Sequence, residues 1–339
     1  MKKIFTILII ITAIAGILLY LGRQTADPNR KIDWGTTYSK LFAQKMGLDW
    51  QKVYLEILDD LKIKNLRLIA YWSEIEPEKE VFNFSDLDWQ IQEAGKRNAK
   101  IILAVGRKLP RWPECHEPEW AKKLELDLNA ALYLKSNEKE YLLGYIEKTI
   151  NHYKANPNII AWEVENEPFL NFGECPALNV QLLDEEIALV HRLDSRPVVV
   201  TDSGELSFWV RAADRADIFG TTMYRWVWSP YLGNYKYPIP PAFFRIKERL
   251  VWLFVGQEKP FVVIELQGEP WQHKQIYEIS QDEQMKNLPF NEFKSVFSYA
   301  KATGFSEYYL WGAEWWWSLK QNGYPEYWEY VKQLLISNS

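Results

Sequence analysis

Residues 159–168 read IIAWEVENEP, a short apolar run that ends in acidic and amide side chains. Ile159 to Val164 are almost continuously apolar, which is typical of a parallel strand that is buried on both of its faces. Asn166 and Glu167 follow at its end, where an unpaired buried carboxylate would be strongly disfavoured. The segment therefore predicts a buried parallel strand with a functional carboxylate at its carboxyl end.

Further apolar runs of this kind are spread along the chain and alternate with longer amphipathic segments. Such alternation favours βαβ units around a parallel sheet. Eight units in about 310 residues fit a (β/α)8 barrel, which typically needs about 250. A doubly wound open sheet is the alternative, but it would carry a glycine-rich phosphate loop after its first strand, and Gly35-Thr36-Thr37-Tyr38 is not one. The predicted strands lie at residues 32–35, 65–71, 100–105, 159–164, 197–201, 217–220, 261–264 and 307–311.

Amphipathic periodicity predicts helices between these strands. No linker or low-complexity tract divides residues 30–339, so the predicted fold class is α/β, with a single (β/α)8 TIM barrel. The predicted helices cover residues 49–61, 86–97, 141–153, 178–193, 243–254, 293–300 and 327–335, with a weaker one at 205–213.

The composition is that of an ordinary globular protein. Hydrophobic residues make up 47% and charged residues 25% of the 339-residue chain, which excludes a disordered or collagen-like protein. The formal net charge of −5 is opposite to the basic balance that nucleic-acid binding requires. The chain holds 17 Trp, 19 Tyr and 16 Phe, which predicts rings both in the core and in stacking on flat ligands.

Residues 4–21 form an uncharged, mostly apolar run that follows Lys2 and Lys3. A helix of this length reaches about 27 Å, enough to span the hydrocarbon core of a bilayer. Residues 1–27 are therefore predicted to be a signal anchor with a short linker, and residues 28–339 the barrel domain, outside the cytoplasm. A cleaved signal peptide and a secreted protein are the alternative, since residues 13–15 offer a small-x-small site.

The two cysteines, Cys115 and Cys175, lie in segments that read as loops after the third and fourth predicted strands. These loops are neighbours on one face of a barrel. An oxidising compartment would permit a disulfide between the two cysteines, and two independent free thiols are the alternative. The four histidines show no metal-ligand spacing, so no metal site is predicted.

Two glutamates stand at the ends of predicted strands that face each other across the barrel mouth. Glu167 follows the fourth strand and Glu265 ends the seventh, where such barrels place catalytic groups. Cleavage of a glycosidic bond needs two carboxyl groups, one that protonates the leaving oxygen and one that attacks or stabilises the anomeric carbon. An ordinary ion pair at the strand end is the alternative for either glutamate alone. Glu269, four residues beyond the seventh strand, is a second candidate for the nucleophile.

Two stretches together resemble the clan A glycoside hydrolases. AWEVENEP at residues 161–168, followed by Glu265, is similar to the Trp-Glu-x-x-Asn-Glu-Pro pattern of family 5 cellulases and mannanases. Upstream, Arg67, YWSEIEP at 71–77 and FNFSDLD at 82–88 are similar to a second signature of the clan. The resemblance implies a (β/α)8 retaining β-glycosidase that uses no metal or organic cofactor.

The resemblance also implies roles for single residues. Glu167 would be the acid/base and Glu265 the nucleophile of a double displacement. Asn166 would bind the 2-hydroxyl of the sugar, and Arg67 at the end of the second strand would hold Glu265 ionised. Tyr224, after the sixth strand, would donate a hydrogen bond to Glu265.

Aromatic side chains in the predicted βα loops are candidates to stack on sugars. Trp311 ends the eighth strand and, by the resemblance, would be the floor beneath the sugar being cleaved. Trp72, Trp112 and Trp271 follow the second, third and seventh strands, and flat, partly exposed rings at this face suit the CH faces of sugars. Packing between the barrel and its helices is the alternative for each ring.

The sequence departs from the family 5 pattern after two strands. Family 5 enzymes usually carry His-x-Tyr after the sixth strand, and here Thr222 precedes Met223 and Tyr224. They usually carry a histidine after the third strand, where this chain has Gly106 and Arg107. The motifs therefore indicate the clan, and they leave the family and the sugar open.

Three glutamates alternate at the end of the fourth strand. With a side-chain period of two, Glu163, Glu165 and Glu167 would all face the same way unless the strand end bulges. Glu163 is predicted to be a buried partner of Arg67. The direction of Glu165 is left open.

The sequence thus predicts a membrane-anchored, extracytoplasmic retaining β-glycoside hydrolase that acts on a β-linked oligo- or polysaccharide. A transglycosylase would use the same residues, and a catalytically silent glycan-binding barrel would share the fold. A monomer with no nucleic-acid partner is expected.

Overall fold

The computed structural model describes Gly16 and residues 26–27, 30–126, 136–175 and 179–336. Eight parallel strands close into one barrel, in which each strand pairs with its neighbours in chain order and the last strand pairs with the first. The predicted (β/α)8 barrel is therefore confirmed. The barrel strands are β1 (Asp33–Thr37), β2 (Asn65–Ile69), β3 (Lys100–Val105), β4 (Ile159–Val164), β5 (Val198–Asp202), β6 (Ile218–Met223), β7 (Phe261–Gln267) and β8 (Glu307–Trp311).

Both faces of the barrel sheet are buried, which explains why the strands are continuous apolar runs. Ile102 and Ala161 belong to a small cluster in which strand side chains meet, together with residues of β5, β7 and β8. Their neighbours Leu103 and Trp162 belong instead to the large core between strands and helices. Alternate residues of one strand thus fill the barrel interior and the surrounding layer.

Helices and short turns pack around the barrel, and every predicted helix forms with shifted ends. Asp49 and Asn179 cap two of them by accepting backbone N–H bonds of 3.1 and 2.9 Å, which satisfies otherwise unpaired donors of the first turn. The helices are Lys40–Lys45, Trp50–Asp59, Trp72–Ile75, Ser85–Lys96, Glu119–Leu126, Ser136–Tyr153, Val180–Leu193, Val210–Arg215, Ala242–Val255, Gln281–Asn287, Phe290–Thr303, Ala313–Gln321 and Glu326–Ile336, with a 3₁₀ turn at Ile276–Glu278.

An antiparallel hairpin follows β6 and was not predicted. Its strands are Trp226–Ser229 and Gly233–Lys236. Gly233 adopts a φ of +65°, which glycine tolerates and which lets the chain reverse after a short turn. The hairpin stands at the carboxyl end of β6, and its Val227 lines the cleft described below.

The predicted membrane segment, residues 4–21, lies outside the described residues apart from Gly16. In the part of the chain that the structure describes, no helix combines the length and apolar character needed to cross a bilayer. The signal anchor therefore stays a prediction from the sequence.

Candidate active site

A cleft opens at the carboxyl ends of the barrel strands, as a barrel of this kind predicts. Its volume is about 220 Å³. Glu167, just after β4, and Glu265, in β7, both line it. The structure therefore brings together two carboxyl groups that are far apart in the sequence. Other lining side chains used below are Trp112, Glu114, Phe172, Glu205, Thr222, Tyr224, Glu269, Trp271 and Trp311.

Arg67 of β2 lies beneath the cleft with no exposure to solvent. Its Nη1 donates to Oε1 of Glu265 at 2.7 Å, and its Nε and Nη2 donate to Glu163 at 2.6 and 2.5 Å. Nη2 also donates to Oδ1 of Asn166 at 2.8 Å. The guanidinium of Arg67 is thus occupied by protein groups, and one of these is Glu265.

Tyr224 supplies the second donor to Glu265. Its hydroxyl donates to Oε2 at 2.9 Å, so both carboxylate oxygens of Glu265 accept a hydrogen bond. Burial raises the pKa of Tyr224 well above its usual value, and the charge of Glu265 adds to this effect. The phenol therefore keeps its proton at neutral pH and remains a donor.

Glu167 lies in a different environment. Its Oε1 accepts a hydrogen bond from Thr222 at 3.2 Å, and its backbone N–H donates to Thr201 at 2.8 Å. Burial raises the pKa of Glu167 well above its usual value, and the charges of Glu265 and Glu114 raise it further. The raised pKa favours the protonated form of Glu167, which suits a proton donor.

The end of the fourth strand twists, so its glutamates do not face the same way. Glu165 and Glu167 have φ values of +60° and +44°, in the left-handed region that non-glycine residues rarely adopt. Glu163 meets Arg67, whereas Glu165 accepts the backbone N–H groups of Arg107 and Lys108, each at 2.6 Å. The irregular backbone at the strand end therefore directs only Glu167, of these three glutamates, into the cleft.

Asn166 is buried and links two loops. Its backbone N–H donates to the carbonyl of Lys108 at 2.7 Å, while its Oδ1 accepts from Arg67. Its Nδ2 donates to Oε2 of Glu114 at 3.1 Å. Asn166 thus lies beside Glu265, because the same guanidinium contacts both.

A disulfide joins Cys115 to Cys175 and ties the loop after β3 to the loop after β4. Lys108 strengthens this junction, since its Nζ donates to the carbonyls of Glu167 and Leu170 at 3.0 and 2.8 Å. The loop that follows Glu167 is therefore held from its neighbour at several points.

Trp311 at the end of β8 lines the cleft, and its role as the floor beneath a sugar stays a prediction. Its Nε1 donates to Oε1 of Glu269 at 3.0 Å. The guanidinium of Arg111 lies 4.0 Å from the Trp311 ring and pairs with both Glu269 and Glu314. Glu269, the second candidate for the nucleophile, is thus engaged by Arg111 and Trp311.

Three aromatic rings form a partly exposed rim of the cleft, which we call the aromatic rim. Trp112, Phe172 and Trp271 are 36–37% exposed, and successive ring centroids are 6.0 Å apart. Trp271 also lies 6.1 Å from the ring of Tyr224. Trp112 and Trp271 therefore line the rim of the cleft together with Phe172, and stacking on a sugar stays a prediction.

Trp72 was expected to bind substrate, and the structure corrects this. Its side chain is fully buried, stacks on Tyr145 at 5.7 Å and donates to Glu76 at 2.8 Å. It begins the short helix after β2 and packs against the outer helices, because that helix turns its first residue away from the cleft. Trp72 thus has no surface to offer a ligand.

Sequence reasoning missed four residues of the cleft. Thr222 was noted only as a departure from a histidine, and Glu205 was placed in a predicted helix. Glu205 accepts the backbone N–H of Tyr224 at 2.8 Å, and burial raises its pKa to about 8. For Glu114 and Phe172, the only signal in the sequence was their position near the two cysteines.

Comparison with known proteins agrees with this geometry. A family model described as β-galactosidase, of glycoside hydrolase family 42, matches residues 49–181. A β-galactosidase from Bifidobacterium bifidum is 31% identical over 109 residues, which are 29% of this chain and 16% of that protein. A mannan endo-1,4-β-mannosidase from Arabidopsis thaliana is 29% identical over 123 residues, which are 33% of this chain and 29% of that protein. The chain thus matches less than a third of either relative's length.

Similarity extends further at the level of the fold. An exo-β-1,4-mannosidase from an Opitutaceae bacterium, strain TAV5, superposes with a TM-score of 0.59 at 12% identity. The superposition covers 91% of this chain and 60% of that one. The family-model match and the closed eight-stranded barrel thus confirm the resemblance to the clan A glycoside hydrolases that the sequence motifs indicate.

Proposed function

We propose that this chain is a retaining β-glycoside hydrolase in which Glu265 is the nucleophile and Glu167 the acid/base. The observation that carries the proposal is the contrast between these two carboxyl groups of one cleft. Both oxygens of Glu265 accept hydrogen bonds, one of them from the guanidinium of Arg67, as a carboxylate nucleophile requires. Glu167 instead holds a proton, because burial and neighbouring negative charge raise its pKa.

The first step forms a glycosyl-enzyme. An oxygen of Glu265 attacks the anomeric carbon, the glycosidic C–O bond breaks, and Glu167 gives its proton to the leaving oxygen. Tyr224 and Arg67 hold the nucleophile in one orientation, so little reorganisation accompanies the attack. Glu167 ends this step as a carboxylate.

The second step releases the sugar. Glu167 takes a proton from water, and the water oxygen attacks the anomeric carbon while the bond to Glu265 breaks. The proton taken from water restores the protonated Glu167 of the resting enzyme, so Glu167 need not exchange a proton with solvent between turnovers. Two inversions at the same carbon leave the β-configuration unchanged.

The relatives narrow the first substrates to test. Their names include β-galactosidases and mannosidases, so β-galactosides and β-mannosides come first, followed by β-linked oligo- and polysaccharides of the same sugars. The aromatic rim gives a reason to test longer substrates, because rings of this kind stack on sugar faces beyond the one that is cleaved.

Transglycosylation is a second candidate, and the aromatic rim favours it. Trp271 lies beside Tyr224 and continues through Phe172 to Trp112, a row of rings suited to a bound acceptor sugar. A sugar hydroxyl would then replace water in the second step and give its proton to Glu167. Analysis of products at high substrate concentration separates the two outcomes.

The site of action proposed from the sequence is outside the cytoplasm, on a membrane anchor formed by residues 4–21. The disulfide between Cys115 and Cys175 supports an oxidising compartment, because such bonds are rare in the cytosol. Fractionation of cells that produce the chain, followed by non-reducing peptide mapping, tests both the anchor and the disulfide. Chain found only in the cytosol with both thiols free would contradict this part of the proposal.

The test of activity uses purified protein and a panel of aryl β-glycosides. Wild type should hydrolyse at least one member with retention, seen as the β-anomer of the first product by NMR. Glu265→Ala should lose several orders of magnitude in kcat, because the covalent step is gone. Glu269→Gln is the matched comparison, since Glu269 lines the same cleft and should leave measurable turnover.

The dependence of the rate on the leaving group tests the role of Glu167 as the acid. Glu167→Gln should slow a phenyl glycoside strongly and a dinitrophenyl glycoside weakly in the first step, because only the poorer leaving group needs a proton. Inverted product, or a Glu265→Ala variant as active as wild type, would overturn the proposed mechanism.

A further inference from the structure

The helix Ala242–Val255 belongs to the outer ring of the barrel and packs one of its sides against the sheet. Phe244, Val251 and Trp252 on that side are buried in the large core between strands and helices. A helix in such a position usually turns charged and polar residues to the solvent on its other side. A helix that is apolar all round needs a second apolar environment.

The other side of this helix is apolar as well. Leu253 and Phe254 are 76% and 75% exposed, and Leu250 is 43% exposed. With about 3.6 residues per turn, these three side chains share one side of the helix, away from the buried ones. We call them the outer face. Exposed apolar patches of this kind mark surfaces that bind a partner or a membrane.

Arginine side chains border the outer face. Arg249, next to it on the helix, is exposed. Burial lowers the pKa of Arg245, and the positive charges of Arg249 and Arg30 lower it further, so the three guanidinium groups lie near one another. Nε and Nη2 of Arg30 donate to the backbone carbonyls of Phe305 and Lys301 at 2.8 and 2.5 Å, and these acceptors are neutral.

Nearby acidic residues do not cancel this positive charge. Glu248 turns to the core side, where it accepts from Nε1 of Trp252 at 3.5 Å, and burial raises its pKa. Glu258 is exposed just after the helix and is followed by Lys259. The combination of apolar side chains with basic ones favours anionic lipid headgroups as the partner of this surface.

The chain enters the barrel beside the same helix. A Cβ at Gly304 would lie 3.3 Å from both Cβ of Ala26 and Cδ of Arg245, so Ala26 and Arg245 are neighbours. Ala26 follows the end of the apolar run 4–21 by five residues, which reach at most about 18 Å when extended. Leu253 lies about 12 Å along the helix from Arg245. A bilayer that holds the apolar run is therefore within reach of the outer face.

We propose that the outer face docks on the surface of the membrane that residues 4–21 span, with its apolar side chains in the interface and the arginines at anionic lipid headgroups. The inference rests on the anchor proposed from the sequence and is independent of the glycosidase reaction. An interfacial helix places its apolar face about 5–10 Å into the boundary between headgroups and acyl chains. The anchor keeps the outer face close to the bilayer, so a weak intrinsic affinity suffices.

Docking in this way orients the barrel and leaves the cleft open. Among the described residues, none of the helix Ala242–Val255 lines the cleft, which opens at the carboxyl ends of the strands. The outer face lies on the side of the barrel. The membrane would therefore fix the direction of the cleft without covering it.

The experiment uses the full chain in vesicles of phosphatidylcholine and phosphatidylserine. A fluorophore on Gln257→Cys, an exposed position three residues beyond Phe254, reports contact with lipids that carry a nitroxide in the upper acyl chain. The native cysteines form a disulfide and do not take the label. Val81→Cys is the control position, since Val81 is 52% exposed on the loop after β2, across the barrel from this helix. Nitroxide lipid should quench the label at residue 257 several-fold more than the label at residue 81.

Variants separate the apolar and ionic parts of the contact. Leu253→Ser with Phe254→Ser should reduce quenching at residue 257 to the level at residue 81, because the side chains that enter the interface are gone. Arg249→Glu should reduce quenching in vesicles with phosphatidylserine and leave it unchanged in phosphatidylcholine alone.

The matched control removes two apolar side chains from another exposed place. Tyr231 and Leu232 of the hairpin are 93% and 69% exposed, and Tyr231→Ser with Leu232→Ser should leave the quenching at residue 257 unchanged. Circular dichroism confirms that each variant is folded.

Carbonate washing of the vesicles separates this inference from the anchor. Chain that resists carbonate but is quenched equally at residues 257 and 81 would overturn the docking and leave the anchor standing. Chain that carbonate removes would overturn both. A dimer in detergent that the double serine variant of the outer face converts to monomer would assign this surface to a contact between copies and overturn the inference as well.

Discussion

Arg67 and Glu163 form a two-pronged ion pair, in which Nε and Nη2 of the guanidinium donate to the two carboxylate oxygens at 2.6 and 2.5 Å. Neither side chain is accessible to solvent. Each charge has lost its hydration and depends on the other, so the pair contributes little net stability while the loss of one partner is costly. The remaining nitrogen of Arg67 is thereby fixed in the direction of Glu265.

Arg67→Lys should unfold more easily and turn over more slowly. An ammonium lacks the planar fork, so it cannot serve Glu163, Glu265 and Asn166 at once. We expect a loss of about 3–5 kcal/mol in the free energy of unfolding, the usual cost of breaking a buried pair, measured by urea denaturation. Arg97→Lys is the control, because Arg97 makes a similar two-pronged pair with Asp59 at the surface and should cost less than about 1 kcal/mol. Equal losses in the two variants would contradict the role given to the buried pair.

The barrel was predictable because burial on both faces makes each strand a continuous apolar run. Ile159–Val164 and the other runs therefore stand out from the helices between them. The carboxylates Glu167 and Glu265 were found because a barrel directs function to strand ends. The hairpin from Trp226 to Lys236 was missed, since its short, half-exposed strands have neither a continuous apolar run nor a carboxylate at a strand end.

Contacts between loops were beyond the reach of periodicity. Trp72 and Trp271 occupy similar places after their strands, and only the helix that starts at Trp72 turns its ring into the core. The opposite directions of Glu165 and Glu167 depend on positive φ values that no residue preference predicts for glutamate. Glu114 was missed because its hydrogen-bond partner, Asn166, lies in another loop.

Glu167→Gln should stabilise the fold at neutral pH. The pKa of Glu167 is raised in the folded state, so between the unfolded pKa, about 4.3, and the folded pKa the folded chain holds a proton that the unfolded chain has lost. Stability then falls as the pH rises, by up to about 1.4 kcal/mol per pH unit from this group. The amide has no such dependence.

Thermal unfolding at pH 5 and pH 7.5 measures this difference. Glu167→Gln should exceed wild type in Tm by more at pH 7.5 than at pH 5. The exposed Glu174→Gln is the control and should show no such trend. If the difference in Tm between Glu167→Gln and wild type is the same at both pH values, the folded state does not favour the protonated form of Glu167.

Trp271→Ala and Trp72→Ala should separate binding from stability. Trp271 is 37% exposed at the aromatic rim, so its removal should raise KM for an oligosaccharide by about tenfold, the value of about 1.4 kcal/mol of stacking, with little change in Tm. Trp72 is fully buried, and its removal should cost about 3–5 kcal/mol in the free energy of unfolding. Kinetics with short and long substrates, beside chemical denaturation, provide both measurements. A Trp271→Ala variant that loses stability but keeps its KM would show that this ring contributes to packing and not to substrate binding.

Removal of the disulfide should weaken both the fold and the cleft. Cys115 and Cys175 are 60 residues apart, and a cross-link of this span typically contributes about 2–4 kcal/mol. The double variant Cys115→Ser with Cys175→Ser should therefore unfold at a lower temperature and lose activity, because the loops beside Glu167 separate. Reductant should lower the Tm of wild type and leave the double variant unchanged. A wild type that is insensitive to reductant would show that the bond does not brace these loops.

Gly173→Ala should lower the free energy of unfolding, because the loop after β4 packs closely against the loop after β3. The added Cβ would lie 2.6 Å from Cβ of Glu114 and 2.7 Å from the carbonyl oxygen of Pro113, and the φ of +87° at Gly173 disfavours alanine as well. Glu114 must then move from Asn166, and we expect a loss of about 1–3 kcal/mol in the free energy of unfolding, measured by urea denaturation. Gly144→Ala is the control.

Gly144 lies in the helix Ser136–Tyr153 with no atom within 4 Å of an added Cβ, so alanine there should raise the free energy of unfolding by about 0.5–1 kcal/mol and leave kinetics unchanged. The two glycine variants differ in what their methyl groups meet, so a loss of stability confined to Gly173→Ala traces the effect to the crowded junction of the two loops. If Gly173→Ala unfolds at the same urea concentration as wild type, the loop after β4 moves away from Glu114 at no cost, and the close approach of the two loops does not contribute to stability.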